Sequence, residues 1–98
     1  MKSSPKPRAK PARGRSLKVR GSRWKIRWVN NLADNFGICD YEKREIRIEK
    51  GQQLATELDT VVHEILHAAL PDLSEASVYD TANSIAEALV KLGYIRKD

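Results

Sequence analysis

Residues Leu54 to Pro71 read LATELDTVVHEILHAALP, and this stretch governs the reading of the whole chain. Good helix formers fill it, and Pro71 closes it, because proline inside a helix loses a hydrogen bond and clashes with the preceding turn. The pattern predicts a helix over 54–70. Within it, His63 and His67 stand four residues apart, one turn above each other on a single face, so both imidazoles can reach one metal ion. Glu64 is turned about a quarter-turn aside, placed to reach a metal-bound water without ligating the metal. Zinc lowers the pKa of such a water to roughly 7, and a carboxylate base can then take its proton as it attacks a carbonyl. The order H-E-x-x-H therefore supplies two ligands and a base.

A solvated helix face can also carry two histidines and a glutamate, and three features argue against that here. Both histidines of the chain fall in this motif. Apolar residues flank it on both sides: Val61, Val62, Ile65, Leu66, Ala68, Ala69 and Leu70. A polar stripe on a largely apolar helix needs partners, and a metal supplies them.

Catalytic zinc usually takes three protein ligands and a water. No other histidine is available and Cys39 lies far upstream, so a carboxylate is the natural third ligand, with Asp72, Glu75, Asp80 and Glu87 as candidates. A short turn, 71–74, leads to a second helix over about 75–92, with Ser74 as N-cap and Gly93 at the C-terminal left-handed position. Steps of 100° place Val78, Tyr79, Ala82, Ile85, Ala86 and Leu89 on one face, with Glu75 in its middle at the N-terminal end. Asp80 and Glu87 point about 120–140° away. Glu75 is thus the preferred ligand, a carboxylate entering a buried stripe where it needs a cationic partner. Asp72 is the alternative, and Asp72 with Glu75 three residues on could instead form a capping box. Tyr79, one turn after Glu75, and Tyr41 could each offer a hydroxyl to a tetrahedral oxyanion, and Tyr79 is preferred.

The stretch from His63 to Glu75, HEILHAALPDLSE, resembles the core of small phage-type zinc metallopeptidases. These are similar to minimal gluzincins and, more distantly, to SprT-like and ImmA/IrrE-like peptidases. Gly37-Ile38-Cys39-Asp40 and Arg44-Glu45-Ile46-Arg47-Ile48 also resemble the β part of that group. The resemblance spans roughly residues 24–94, and its specific element is the HExxH motif. It implies a strand edge above the metal where an extended peptide could lie, a glutamate as third ligand, and a peptidolytic reaction. One departure is the spacing: in familiar gluzincins the glutamate lies further beyond the second histidine than Glu75 does.

Upstream of the helices the period changes from 3.6 to 2. Leu17 and Val19 alternate with Lys18 and Arg20, and Trp24, Ile26 and Trp28 alternate with Lys25 and Arg27. This is the pattern of half-buried strands, with the two tryptophans as core or sheet-face aromatics. Residues 37–49 read as a hairpin turning at Glu42-Lys43-Arg44, and Cys39 as a small buried residue. The expected fold is α+β: a small antiparallel sheet of about three strands, then the metal helix and a second C-terminal helix.

Ninety-eight residues are one domain. Residues 1–16 hold no large apolar side chain beyond Met1 and are expected to form a disordered basic tail, leaving 17–98 as the single metallopeptidase-like domain. Such a domain lies near the lower size limit for folding without staples, where a metal would help. Charge is divided unevenly. Residues 1–27 hold eleven Lys or Arg and no acid, while 28–98 hold seven bases against thirteen acids, for a net charge of +5. Flexible cations of this density suit salt-sensitive nucleic-acid contact, although a solubilising or assembly tail fits equally. No apolar run is long enough for a bilayer, no signal-peptide core follows the N-terminal charges, and the lone Cys39 can form no internal disulfide. The expected home is the cytoplasm of a bacterial or phage-infected cell.

Two function classes follow. One is a zinc hydrolase acting on a peptide or protein substrate with Glu64 as general base. The other is a non-catalytic, zinc-stabilised binding or assembly module tethered to nucleic acid. Glu64 discriminates, since a purely structural site has no need of it.

Overall fold

The computed structural model describes residues 14–33 and 35–95. It is an α+β fold: four strands, β1 (Arg15–Val19), β2 (Ser22–Val29), β3 (Gly37–Asp40) and β4 (Glu45–Glu49), then two helices, α1 (Leu54–Ala69) and α2 (Glu75–Lys91). Arg15 and Ser16, assigned to the tail from sequence, already belong to β1; residues 1–13 of that tail lie outside the described residues.

The sheet differs from the expected one in strand number and direction. Its order is β1-β2-β4-β3, and β2 runs parallel to β4, so the sheet is mixed rather than wholly antiparallel. The cause is the connection after β2, which carries the chain past the end of β4 before β3 begins. The β3–β4 hairpin therefore docks beside β2 by its second strand and leaves β3 at the edge. Glu49 holds this connection, its carboxylate accepting from the backbone N–H of Leu32 at 2.9 Å and Asn31 at 3.3 Å. The other hairpin, β1–β2, turns through Arg20 and Gly21, both with positive φ (49° and 84°), as a two-residue turn matched to strand twist requires.

Alternation sorts each strand into two faces. Trp24, Ile26, Ile46 and Ile48 form the buried layer with Val19, and Val61, Ile65, Ala68 and Ala69 of α1 pack onto it. Trp28 is half-buried and donates its indole N–H to Glu57 of α1. Arg20 ties the β1–β2 turn to the end of α1 through Ala69 O at 3.0 Å, where a cation also favours the helix dipole.

The helix boundaries follow the local signals. Helix α1 ends one residue before Leu70-Pro71. Ser74 caps α2 by accepting from Ser77 N at 3.1 Å. Beyond α2, Gly93 at φ 87° allows Tyr94 N to reach back to Leu89 O. The buried stripe of α2 is narrower than expected: Val78, Ala82 and Ala86 are buried, whereas Tyr79 and Ile85 are exposed. With residues this small on the contact face, α2 lies close against α1, and its flanking positions stay in solvent. Among the described residues, no helix is long and apolar enough to cross a membrane.

Candidate metal centre

The i,i+4 spacing on α1 brings the two imidazole rings together, with centroids 4.9 Å apart. Pro71 stops the helix, the turn reverses the chain, and the first residue of α2 arrives opposite them. Glu75 meets both rings at once: Oε2 lies 3.1 Å from His63 Nε2 and Oε1 3.1 Å from His67 Nε2. All three side chains thus offer donor atoms within 4.8 Å of one another. Asp72, Asp80 and Glu87, the other candidate ligands, are exposed and outside this cluster.

Burial is not what brings Glu75 to the cluster, contrary to the expectation from helical phase. A carboxylate entering a buried stripe would need a cation, but this side chain is 73% exposed. It sits at the rim of α2, not in the middle of the buried face. Nor does it complete a capping box with Asp72, because Ser74 provides the cap and the Glu75 carboxylate is turned to the imidazoles.

The donor set suits zinc. Two imidazole nitrogens and a carboxylate oxygen are borderline ligands of the kind zinc takes, and tetrahedral bonds of roughly 2.0–2.1 Å would separate donors by about 3.3 Å. The two histidine–glutamate separations of 3.1 Å are of that order and also of hydrogen-bond length, while the whole donor set spans up to 4.8 Å. The carboxylate can be met there either by ring N–H hydrogen bonds or by a cation shared with the two imidazoles.

Glu64 does not join the three donors. It is one of two buried polar residues in the described chain, 6% exposed, and lies between α1 and the edge strand. Burial pushes its carboxyl above the ordinary 4.5, Glu75 pushes in the same direction, and His63 opposes both. Gly37 of β3 makes this placement possible: a Cβ there would lie 2.8 Å from Thr60 Cγ2 and 2.9 Å from Glu64 Cγ. Thr60, the other buried polar residue, places its hydroxyl 2.9 Å from Gln52 Oε1 and 3.0 Å from Thr56 O.

A cleft of about 690 Å³ opens over these groups, walled by Gly37, Ile38 and Cys39 of β3, by Thr60, His63, Glu64 and His67 of α1, and by Glu75 and Tyr79 of α2. Both tyrosines line it. Tyr41 donates its hydroxyl to His67 O at 2.9 Å. The Tyr79 hydroxyl makes no hydrogen bond among the described residues, and its side chain, 63% exposed, stands at the mouth. Cys39 is half-buried, packed against the sheet core and also exposed to the cleft. Its thiol is pushed up to about 11, chiefly by burial and next by the Glu64 carboxylate.

Gly37 and Cys39 are site residues that the sequence pattern does not single out. Each pairs in register with a core isoleucine of β4, Ile48 and Ile46, so both face the helices. Only the sheet order reveals that β3 is the strand beside the motif. An isolated glycine opening a strand is the one available signal, since it marks close backbone approach.

The chain was compared with family models, curated proteins and solved structures, and none matches it.

Proposed function

We propose that this chain is a zinc-dependent peptidase. The observation that carries the reading is the convergence of His63, His67 and Glu75 on one point beside a buried carboxylate that is not among them. A closed structural site uses four protein ligands and has no use for a buried neighbouring base. His63, His67 and Glu75 would hold the ion; when bound, zinc would supply a Lewis acid that polarises a carbonyl and acidifies water.

The remaining chemistry belongs to the chain. Glu64 accepts a proton from the water whose oxygen adds to the peptide carbonyl carbon, then returns that proton to the amine as the C–N bond breaks. Burial raises its pKa, which makes it a stronger proton acceptor than an exposed carboxylate. Among the described residues strand β3 pairs with β4 on one side only, and its residues wall the cleft, so an extended peptide can be received along the other side by backbone hydrogen bonding. Tyr79, whose hydroxyl is free of other described partners, is the candidate donor to the developing oxyanion. With one thiol and no disulfide partner, the chain suits a reducing cytoplasm.

The deciding experiment pairs metal analysis with digestion of a peptide library, using wild type and Glu64→Gln. We expect one zinc per chain in both and cleavage by wild type alone, because the amide keeps the shape but accepts no proton. Equal cleavage by the two would remove Glu64 from the reaction, and zinc-loaded wild type that cleaves nothing would favour the binding-module alternative.

A further inference from the structure

The sheet face turned away from α1 carries a second feature, independent of the metal site. Register places Lys18 directly opposite Arg23, and Ser16 opposite Lys25, all on this outer face and all exposed. Like charges facing each other across a strand pair destabilise a sheet, so the fold holds Lys18 and Arg23 together at a cost.

The acids of this face do not relieve it. Glu45 stands beside Lys25 in register, but its carboxylate is drawn the other way, to Arg27 Nε at 2.6 Å and Arg47 Nε at 3.7 Å. Asp40 is taken by Arg47 at 2.8 Å, and Glu49 by the backbone N–H groups of the connection after β2. The acids of β3 and β4 are therefore balanced by Arg47 and by Arg27 of β2, with Glu49 held by backbone N–H groups. The β1–β2 half presents three cations that meet no carboxylate within ion-pair distance among the described residues. The sequence immediately before β1 adds Lys2, Lys6, Arg8, Lys10 and Arg13.

We infer that the outer face of β1–β2 is a docking surface for the phosphate backbone of a nucleic acid, centred on Lys18, Arg23 and Lys25. The character of the face selects this occupant. None of the exposed large hydrophobic side chains in the described residues lies on β1 or β2. An anionic membrane would be held by apolar side chains entering the acyl boundary as well as by cations. A protein partner would be held by a desolvated aromatic or aliphatic anchor. A polyphosphate needs neither, because release of its condensed counterions supplies the binding free energy. The patch lies on the opposite side of the sheet from α1, so bound nucleic acid leaves the cleft open.

The test uses the full chain and two triple variants that lose the same charge. One is Lys18→Gln/Arg23→Gln/Lys25→Gln. The other, away from the patch, is Lys43→Gln/Lys50→Gln/Lys91→Gln. Binding to a 20-mer DNA, single-stranded and duplex, is followed by fluorescence anisotropy across a salt series. The patch variant should bind at least tenfold more weakly than wild type at low salt, with a salt slope smaller by about 2–3, near 0.9 for each phosphate no longer neutralised. The control variant should bind less than threefold more weakly. Equal weakening in the two variants would overturn the inference, since net charge alone would then account for binding. So would no measurable binding by wild type at low salt, or tighter binding to anionic vesicles or polyglutamate at matched charge. Unchanged zinc content and melting in the patch variant keep this outcome separate from the metal centre.

Discussion

Gly37 and Glu64 touch: a methyl group on the glycine would lie 2.9 Å from Glu64 Cγ and 3.1 Å from its Oε2. The edge strand thus approaches α1 at its buried carboxylate, and only the absence of a side chain permits it. Thr60 Cγ2, at 2.8 Å, belongs to a branched side chain with little freedom to turn on a helix. Gly37→Ala must therefore move β3 away from α1 or rotate Glu64. We expect a loss of about 1–3 kcal/mol of stability, the usual cost of overpacking. Zinc content should be kept and peptidase activity should fall. Melting and a peptide assay check both, and an alanine variant indistinguishable from wild type would show that the contact constrains nothing.

Glu75 offers the sharpest test of the ligand set. Its two carboxylate oxygens reach both imidazoles while Asp72, Asp80 and Glu87 lie outside the cluster. Glu75→Ala should weaken zinc binding by tenfold or more, and the alanine variants of the other three by less than about threefold. Because Ser74 and not Asp72 caps α2, Asp72→Ala should also cost less stability than the roughly 1 kcal/mol of a missing cap. Zinc titration of the four proteins separates them. If Asp72→Ala is the poorest binder, the third ligand lies in the turn.

Chelation should lower the melting temperature, since ions held only by the folded chain stabilise it by mass action. A melting curve unchanged by chelator in a protein that had been loaded with zinc would show that the ion and the fold are independent.

The two tyrosines should behave differently. Tyr41 commits its hydroxyl to His67 O, so Tyr41→Phe should cost about 0.5–1.5 kcal/mol of stability with a smaller effect on turnover. Tyr79 is exposed, so Tyr79→Phe should leave stability alone and reduce kcat by about tenfold or more with little change in KM. A kcat unaffected by Tyr79→Phe would free that residue of any part in the reaction.

Cys39 gives a pH prediction. Its thiol is raised from 9.0 to about 11 by burial and by the Glu64 charge, so it stays protonated at pH 8. Alkylation by iodoacetamide at pH 8 should be at least tenfold slower in the native protein than in urea, where the thiol returns to its ordinary 9.0. The linkage has a definite sign. The folded state holds the proton more tightly, so this contribution to stability is complete below pH 9.0 and declines as pH rises toward about 11. Cys39→Ser should flatten that alkaline decline.

Much of this molecule is legible locally. Pro71, Ser74 and Gly93 mark helix ends because each acts through its own backbone or its own turn, and His63, Glu64 and His67 share an element whose period is fixed. Helical phase points to Glu75 even though the burial expected of it is absent, because phase gives direction but not depth. What alternation cannot encode is which strands become neighbours. Trp24, Ile26, Ile46 and Ile48 announce a buried face equally well in an antiparallel or a mixed sheet. The parallel pairing of β2 with β4, and hence the arrival of Gly37 and Cys39 at the motif, depends on the path of the loop that Glu49 holds.

The three candidate donors span only residues 63–75, whereas the wall facing them comes from residues 37–41. These two halves differ in what it costs the chain to assemble them. Closing a segment of about a dozen residues carries a small loop entropy, and local contacts of this kind form early in folding. The opposite wall waits for a parallel strand pairing across about twenty residues, the slower class of event. An ion could thus be captured by the helical hairpin before any cleft exists to admit a substrate. On the proposed function, a half-built molecule would hold an ion without a binding wall during synthesis and refolding, and peptide cleavage would begin only when the sheet closes over Glu64.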